Sequence, residues 1–259
     1  MKEKIYTIPV TEAFEQDSEC PVCLLEKKLE AEYTDYYLGP ALMEADCRIE
    51  TNQKGFCRRH FEMMYNRQEN RLGLALETDT HLKEQLKRLK EFEKGISDAA
   101  KSSKPTGSII SAFTGMRLSK NRGDGSAVTG LIDMLAELEK SCTVCDRLSS
   151  TMDRYMDVIM YLWSKEDDFR KLFSAKKGFC LIHMRMMAEA SVKYLKPHES
   201  AEFVELLLKQ QVENLERIEK ELDWFAKKFD YRYNDSPWGN SRDALPRGIQ
   251  KLKGFCDLK

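Results

Sequence analysis

Apolar residues recur at helical spacing along most of the chain. Residues 24–38 are rich in Glu, Lys, Leu and Ala with one apolar face, and Gly39-Pro40 follows as a break. The same period returns across residues 58–92. One short piece, residues 5–10, is apolar and β-branched instead, which predicts an extended segment that Pro9 confines to the edge of a sheet. The pattern as a whole predicts a mainly α fold.

Residues 200–229 carry the longest regular pattern and predict the longest helix. Leu208, Leu215, Leu222 and Phe229 repeat every seven positions. Heptads sustained over this length indicate helix-on-helix packing, within the chain or between chains. The aromatic, turn-rich tail that follows is expected to dock onto the body of the protein.

A cysteine and histidine motif occurs twice at nearly constant register. In each copy a Cys-x-x-Cys pair precedes a Gly-Phe-Cys-x-x-His segment, and the second copy follows the first by 122 to 123 residues. This register indicates internal duplication, giving two tandem helical repeats. The candidate ligands are Cys20, Cys23, Cys57 and His60 in the first copy, and Cys142, Cys145, Cys180 and His183 in the second.

Three thiols and one imidazole at these spacings are the ligand set of a closed tetrahedral zinc site. The sequence therefore predicts two structural zinc ions per chain, one in each copy. Closure within each copy is expected because the two intervening segments are nearly equal in length and each can fold as a hairpin of helices. The alternative is a crossed arrangement, in which the Cys-x-x-Cys pair of one copy meets the Cys-x-x-His of the other.

Other chemistries for these cysteines have less support. A thioredoxin-like redox pair needs a βαβ context, which the pattern does not predict. An iron–sulfur cluster with one His ligand is chemically permitted but less common than all-Cys ligation, so iron stays open as the alternative metal. Methionines follow each Cys-x-x-His, as Met63-Met64 in the first copy and Met184, Met186 and Met187 in the second. They are interpreted as core residues, with a copper role as the alternative.

Four further residues of these types lie outside the doubled motif. Cys47, Cys256, His81 and His198 have no partners at ligand spacing and are interpreted as ordinary core or surface residues. A third Lys-Gly-Phe-Cys occurs at residues 253–256 without a histidine or a second Cys-x-x-Cys. It is interpreted as an incomplete copy of the motif that does not form a metal site.

Composition divides the chain into three parts. Residues 96–129 are rich in Gly, Ser, Lys and Pro, which predicts a flexible linker. Residues 1–95 are then the first helical zinc-binding repeat. Residues 130–259 are the second, extended by the long C-terminal helix and its tail.

Charge and hydropathy limit the partners. The 42 Lys and Arg nearly balance the 43 Asp and Glu, so nucleic acid is not expected as a partner. No apolar run approaches the roughly 18 to 20 residues of a membrane span, and no export signal is visible, so we expect a cytoplasmic protein without a membrane. No catalytic motif is present either, which argues against an enzyme.

The chain resembles an uncharacterised bacterial family, known only as a domain of unknown function. The resemblance rests on Cys20-Pro21-Val22-Cys23, on both Gly-Phe-Cys-x-x-His segments and on Pro237-Trp238-Gly239. It implies a bacterial cytosolic protein and no particular activity.

The residues favour a non-catalytic zinc-binding protein that acts through an unknown protein partner or through self-association. The heptad face of residues 201–229 and the aromatic tail are the candidate contact surfaces. The alternative is a thiol-based redox or metal sensor that responds through its zinc–cysteine sites. Nucleic-acid binding is a weaker third alternative.

Overall fold

The computed structural model describes residues 4–102, 122–256 and 258, and these residues form eleven α-helices and no strand. The prediction of a mainly α fold is therefore confirmed. The α-helices are α1 Lys4–Glu15, α2 Pro21–Leu38, α3 Ala45–Lys54, α4 Arg58–Asn66, α5 Arg71–Ser102, α6 Arg122–Lys140, α7 Thr143–Lys165, α8 Asp167–Ser174, α9 Leu181–Tyr194, α10 Pro197–Lys227 and α11 Ala244–Lys253. Short 3-10 helices lie at Pro40–Met43, Tyr231–Tyr233 and Gly239–Ser241.

The chain forms two compact units, and each is assembled from parts of both motif copies. The terminal unit comprises Met1–Ala31 and Leu148–Lys259, and the central unit comprises Glu32–Arg147. The boundary falls inside α2 and inside α7. Neither unit coincides with one of the two repeats inferred from the sequence.

The predicted linker at 96–129 lies only partly within the described residues. Its first residues belong to α5, which continues to Ser102, and its last residues belong to α6, which begins at Arg122. Residues 103–121 lie outside the described part of the chain.

Aromatic side chains form the core of the terminal unit. Phe173 stacks on Phe14 with ring centroids 5.8 Å apart and contacts Phe179 at 5.2 Å and Phe203 at 5.3 Å. Trp163 meets Phe203 edge to face at 5.1 Å. These rings join α1, α7, α8 and α10 to the turn that precedes α9. That turn carries the candidate ligand Cys180, and His183 follows in the first turn of α9.

Residues 5–10 are helical, so the prediction of an extended segment was wrong. They belong to α1, in which Val10 and Phe14 lie four residues apart on one face and are completely buried. Burial of two such side chains stabilises the helix by about 3–6 kcal/mol. Pro9 inside a helix costs about 3 kcal/mol, which is no more than this gain.

The central unit packs α3, α4 and α6 against α5 and its neighbours. Phe56 contacts Tyr37 and Phe61 edge to face at 5.6 and 5.5 Å. The helical pattern at 58–92 is realised as two helices, because Gln68 and Asn70 adopt positive φ angles of 58° and 46° between α4 and α5.

Helix α10 is confirmed, although at 31 residues it is one residue shorter than α5. A second heptad row of this helix, formed by Val204, Gln211, Ile218 and Phe225, packs within the terminal unit, where Gln211 and Ile218 are buried. In the row of Leu208, the residues Leu215 and Leu222 are half-buried, whereas Leu208 and Phe229 are exposed. A Cβ added to Gly248 of α11 would lie 2.8 Å from Leu222, which shows how closely the two helices approach. The tail folds back onto α10, since the Trp224 indole donates to the carbonyl of Pro237 at 3.0 Å.

Among the described residues, no helix combines the length and apolar character that crossing a membrane requires.

Candidate metal sites

All eight candidate ligands gather in two clusters, and the pairing is crossed. Site A consists of Cys20, Cys23, Cys180 and His183, and site B consists of Cys57, His60, Cys142 and Cys145. Closure within each copy was therefore the wrong expectation. Equal spacing cannot decide the pairing because the half-sites are chemically interchangeable. Helix packing decides it, and each cluster lies wholly within one unit.

Each site lies at the N-termini of two helices. In site A, Cys23 is in the first turn of α2, while Cys180 is the N-cap of α9 and its sulfur accepts the backbone N–H of His183 at 3.4 Å. In site B, Cys57 is the N-cap of α4 and Cys145 is in the first turn of α7. Helix N-termini stabilise negative charge, so each site favours a thiolate. Hydrogen bonds with Cys180 and Cys20 nevertheless raise the pKa of Cys23, and burial raises the pKa of Cys145.

The Gly-Phe dipeptide shapes the entry to each Cys-x-x-His turn. Gly55 and Gly178 have φ angles of 63° and 74°, in the left-handed region that favours glycine. Phe179 is completely buried and Phe56 is 8% exposed. The glycine reverses the chain and the phenylalanine fixes the turn in the core.

In site A the imidazole Nδ1 faces the three sulfurs. His183 Nδ1 lies 3.5 Å from Cys20 Sγ, 3.4 Å from Cys23 Sγ and 3.1 Å from Cys180 Sγ. The sulfurs of Cys23 and Cys180 are 3.7 Å apart. On the other side of the ring, the Glu26 carboxylate lies 3.4 Å from Nε2. A carboxylate behind a ligating histidine fixes the ring and its tautomer.

Site B repeats this geometry. His60 Nδ1 lies 3.2 Å from Cys57 Sγ, 3.2 Å from Cys142 Sγ and 3.5 Å from Cys145 Sγ. The sulfurs of Cys57 and Cys145 are 3.9 Å apart. In both sites, therefore, Nδ1 is the nitrogen available to an ion.

These distances fit one tetrahedral ion in each site. Bonds of about 2.3 Å to sulfur and 2.0–2.1 Å to nitrogen space two sulfurs by about 3.8 Å, and a sulfur and a nitrogen by about 3.6 Å. The observed separations agree to within a few tenths of an ångström at most pairs. A multi-iron cluster would bind its ligands through different irons and hold them farther apart. Each cluster can therefore hold a single metal ion.

Electrostatics within the clusters favour a thiolate beside an imidazolium. Hydrogen bonds with Cys20 and Cys23 hold the pKa of Cys180 far below its usual value. Burial acts to lower the pKa of His183, but its hydrogen bonds to Cys180, Cys20 and Glu26 raise it to about 12. Burial opposes ionisation of Cys142, yet the hydrogen bond with His60 lowers its pKa to about 6. A cation that binds these donors displaces their remaining protons.

The two sites differ in exposure. Cys20, Cys23 and Cys180 are completely buried and His183 is 1% exposed. In site B, His60 and Cys142 are buried to the same degree, but Cys57 and Cys145 are partly exposed. Solvent reaches two of the three sulfurs in site B and none in site A.

Several residues that support the sites were not predicted. The backbone N–H of Phe179 donates to the side chain of Gln211 at 2.9 Å, and the His81 ring packs against Gly55. The position of Gln211 in the heptad stripe is the one signal that could have identified it, since a polar residue at a core position needs a polar partner. Lys251 also supports site A, since its Nζ donates to the carbonyls of Glu19 and Lys177. It carried no such signal, because lysines are common on the exposed faces of helices.

The remaining cysteines and histidines behave as expected. Cys47 is buried in the hydrophobic core of the central unit, and His198 is exposed. The Cys256 thiol donates to the carbonyl of Gly254 at 3.6 Å. Within the described part of the chain, neither Cys256 nor His81 belongs to a cluster able to hold a metal. Of the methionines next to the Cys-x-x-His segments, Met64 and Met187 are buried in the core, whereas Met63, Met184 and Met186 are half-buried.

The chain was compared with known proteins at three levels. No curated protein matches it. No solved structure matches it either. A family model matches residues 1–259, in agreement with the resemblance seen in the sequence. The chain belongs to DUF6062, a family of unknown function.

Proposed function

We propose that the protein is a non-catalytic helical protein with one structural zinc ion in each of its two sites, and that it works through protein–protein contact. The observation that carries the zinc assignment is the donor set. Three sulfurs and one imidazole nitrogen converge at tetrahedral spacing twice. Four protein ligands leave no coordination position for water or substrate, which is typical of structural zinc and not of catalytic zinc.

Metal analysis of protein purified without added metal tests this assignment. We expect two zinc ions per chain by elemental analysis and by native mass spectrometry. Iron with visible absorption, or the absence of metal from a folded protein, would contradict it.

The contact surface that we propose lies on the hairpin of α5 and α6, because the heptad row of α10 that contains Gln211 and Ile218 already packs within the terminal unit. Exposed apolar side chains follow helical spacing on one side of each helix. Their exposed fractions lie between 41% and 62%. They are Leu82, Leu86 and Leu89 on α5, and Val128, Ile132 and Leu135 on α6. An apolar surface of this kind typically marks an interaction site.

The occupant that we propose is a second copy of the chain, on grounds of charge. The exposed lysines of α5 lie at helical spacing at positions 83, 87, 90 and 94. Helix α6 instead exposes acids at positions 133, 137 and 139. When two hairpins pack face to face with α5 of one copy against α6 of the other, lysines lie opposite carboxylates. Such complementarity selects this pairing over α5 against α5.

Sedimentation or light scattering tests this contact independently of the metal. We expect a dimer that dissociates when Leu86→Glu and Ile132→Glu are combined, with both zinc ions retained. Leu208→Glu, at an exposed leucine of α10, is the matched control and should remain dimeric. A wild-type chain that is monomeric up to its solubility limit would contradict the dimer and leave the zinc assignment intact.

A second candidate function, a thiol-based redox sensor, is favoured by the exposure of site B. Its two exposed thiolates, Cys57 and Cys145, have sulfurs 3.9 Å apart. With hydrogen peroxide as oxidant, the two sulfurs form one S–S bond, the O–O bond breaks, and two protons complete two waters. The zinc ion would then leave site B.

Mild peroxide treatment separates the two candidates. A sensor loses one zinc ion rapidly and regains it after reduction, with a Cys57–Cys145 disulfide in the peptide map. Retention of both ions at peroxide levels that oxidise ordinary exposed thiols would exclude the sensor.

A further inference from the structure

Lys251 of α11 is a buried ammonium that connects the two ligand loops of site A. Its side chain is 1% exposed. Nζ donates to the carbonyl of Glu19 at 2.6 Å and to the carbonyl of Lys177, and it lies 3.1 Å from the Glu19 carboxylate. Glu19 directly precedes Cys20, and Lys177 begins the turn that delivers Cys180. One side chain thus holds the main chain beside both halves of the site.

In site B the two ligand loops are connected without a side chain from another helix. The backbone N–H of Thr143 donates to the carbonyl of Gly55 at 3.1 Å, and the Ser141 hydroxyl donates to the carbonyl of Lys54 at 2.7 Å. The two ligand loops of site B are therefore joined directly to each other.

The sequence explains why the ligand loops of site A cannot form the hydrogen bonds that connect the loops of site B. In the register of the two motif copies, Thr143 corresponds to Pro21 and Ser141 corresponds to Glu19. Proline has no backbone N–H to donate. Glutamate has no hydroxyl, and its carboxylate cannot donate when ionised. The donors that close site B are therefore missing from site A, and the ammonium of Lys251 supplies them.

The residues after Lys251 lie over the sulfurs of site A. Gly254 ends α11 with a φ of 81°, and a Cβ added there would lie 3.8 Å from Cys180 Sγ and 4.0 Å from Cys23 Sγ. The Lys27 ammonium lies 3.8 Å above the Phe255 ring and links this segment to α2. The segment Lys251–Phe255 contains the third Lys-Gly-Phe element of the sequence, at residues 253–255. This element covers the site instead of ligating an ion.

Charge gives Lys251 a second role. Three thiolates and one neutral imidazole around a divalent ion carry a net charge of −1, and such a centre is costly to bury without a cation nearby. The ammonium of Lys251 lies beside the loops of Cys20 and Cys180, where it pairs with the buried Glu19 carboxylate at 3.1 Å, and Arg217 pairs with the same carboxylate at 2.7 Å. The loop of Cys20 thus carries buried cations as well as this carboxylate.

We propose that Lys251 is a positioning residue of site A, and that docking of the segment Lys251–Phe255 determines how tightly this site retains its metal. The inference rests on the proposed zinc assignment. It concerns only the difference in retention between the two sites, so its failure leaves that assignment intact.

Cysteine labelling under chelator challenge tests the proposal on the full-length zinc-loaded protein. After exposure to a zinc chelator, free thiols are alkylated and mapped by peptide mass spectrometry. We expect Lys251→Met to increase the labelling rate of Cys20, Cys23 and Cys180 about 10- to 100-fold, the range typical for loss of a residue that supports metal ligands. Labelling of the site B cysteines should not change.

Two variants accompany this measurement. Lys209→Met removes an exposed lysine of α10, outside the segment Lys251–Phe255, and should label as wild type does. Lys251→Gln keeps a hydrogen-bond donor and removes the charge, and it serves if Lys251→Met does not fold. The proposal is overturned if the folded variant protects the site A cysteines as wild type does. It is also overturned if the cysteines of both sites become reactive together with loss of helical circular dichroism, which would indicate general destabilisation.

Discussion

Sites A and B share ligand types, spacing and helix N-termini, but they differ in what surrounds them. The sulfurs of site A are completely buried beneath the C-terminal segment, and a lysine from a separate helix connects its loops. Site B closes on itself through Ser141 and Thr143 and leaves Cys57 and Cys145 partly exposed. The motif therefore determines the ligands, while the surrounding packing determines how accessible each site is.

The largest expected difference between the sites follows loss of one ligand. We expect Cys23→Ser to lower the free energy of unfolding of the terminal unit by about 5 kcal/mol or more, because binding free energy at a structural zinc site is folding free energy. Cys145→Ser should cost the central unit less, since water can replace a ligand at a partly exposed position. Urea titration followed by circular dichroism, with metal content measured in parallel, compares the two. Equal losses would show that burial does not distinguish the sites.

The phenylalanines of the two motif copies give the next largest difference. Phe179 is completely buried among Phe14 and Phe173, so Phe179→Ala is expected to lower the free energy of unfolding by about 3–5 kcal/mol. Phe56→Ala should cost less because Phe56 retains some exposure. Denaturant unfolding of both variants measures this order. A reversed order would place the better-packed turn in the central unit.

Carboxylates in the two units should respond to pH in opposite directions. Burial raises the pKa of Glu77 in the central unit, against the charge of Arg48, whose guanidinium lies 3.6 Å from the carboxylate. Above the pKa of Glu77 in the folded protein, its ionised carboxylate lowers the free energy of unfolding. As the pH falls, the folded state binds a proton at Glu77 before the unfolded state does, and this destabilisation disappears. We expect Glu77→Gln to raise the free energy of unfolding by about 1 kcal/mol at pH 7 and to have no effect in acid.

Asp153 in the terminal unit should have the opposite dependence of stability on pH. Its hydrogen bond from Lys193 lowers its pKa, so it stabilises the fold above the unfolded-state pKa, and this contribution is lost as the pH falls. Because the pair is solvent-exposed, Asp153→Asn should cost less than about 0.5 kcal/mol at neutral pH. Thermal unfolding across pH measures both variants. If both substitutions changed the free energy of unfolding in the same direction at pH 7, the environments assigned to Glu77 and Asp153 would be wrong.

The ligands were predictable from sequence because their chemistry is local. A Cys-x-x-Cys turn and a Cys-x-x-His at a helix start each bring two donors together without help from the rest of the fold. The partner of each half-site was not predictable, because both alternatives use identical donors and the choice depends on distant packing. The helix at Val10 and Phe14 was missed for a similar reason, since Pro9 is a local signal and burial of the apolar face is not.

Lys251 illustrates the limit of pattern reasoning. A lysine among apolar residues of a short C-terminal helix resembles any solvated residue of an amphipathic face. Its role becomes visible only beside the missing donors at Pro21 and Glu19, and these matter only once site A is known to be crossed. The comparison of two copies of one motif supplied that information.

Crossed ligation by two separate metal sites is the central claim, and metal counting in two double variants tests it most directly. Cys20→Ser with His183→Ala removes two ligands of site A, so native mass spectrometry should find one zinc ion bound. Cys20→Ser with His60→Ala removes one ligand from each site, and we expect weakened or lost binding at both. If the first variant loses both ions while the second retains one, the sites close within each copy and the crossed arrangement is wrong.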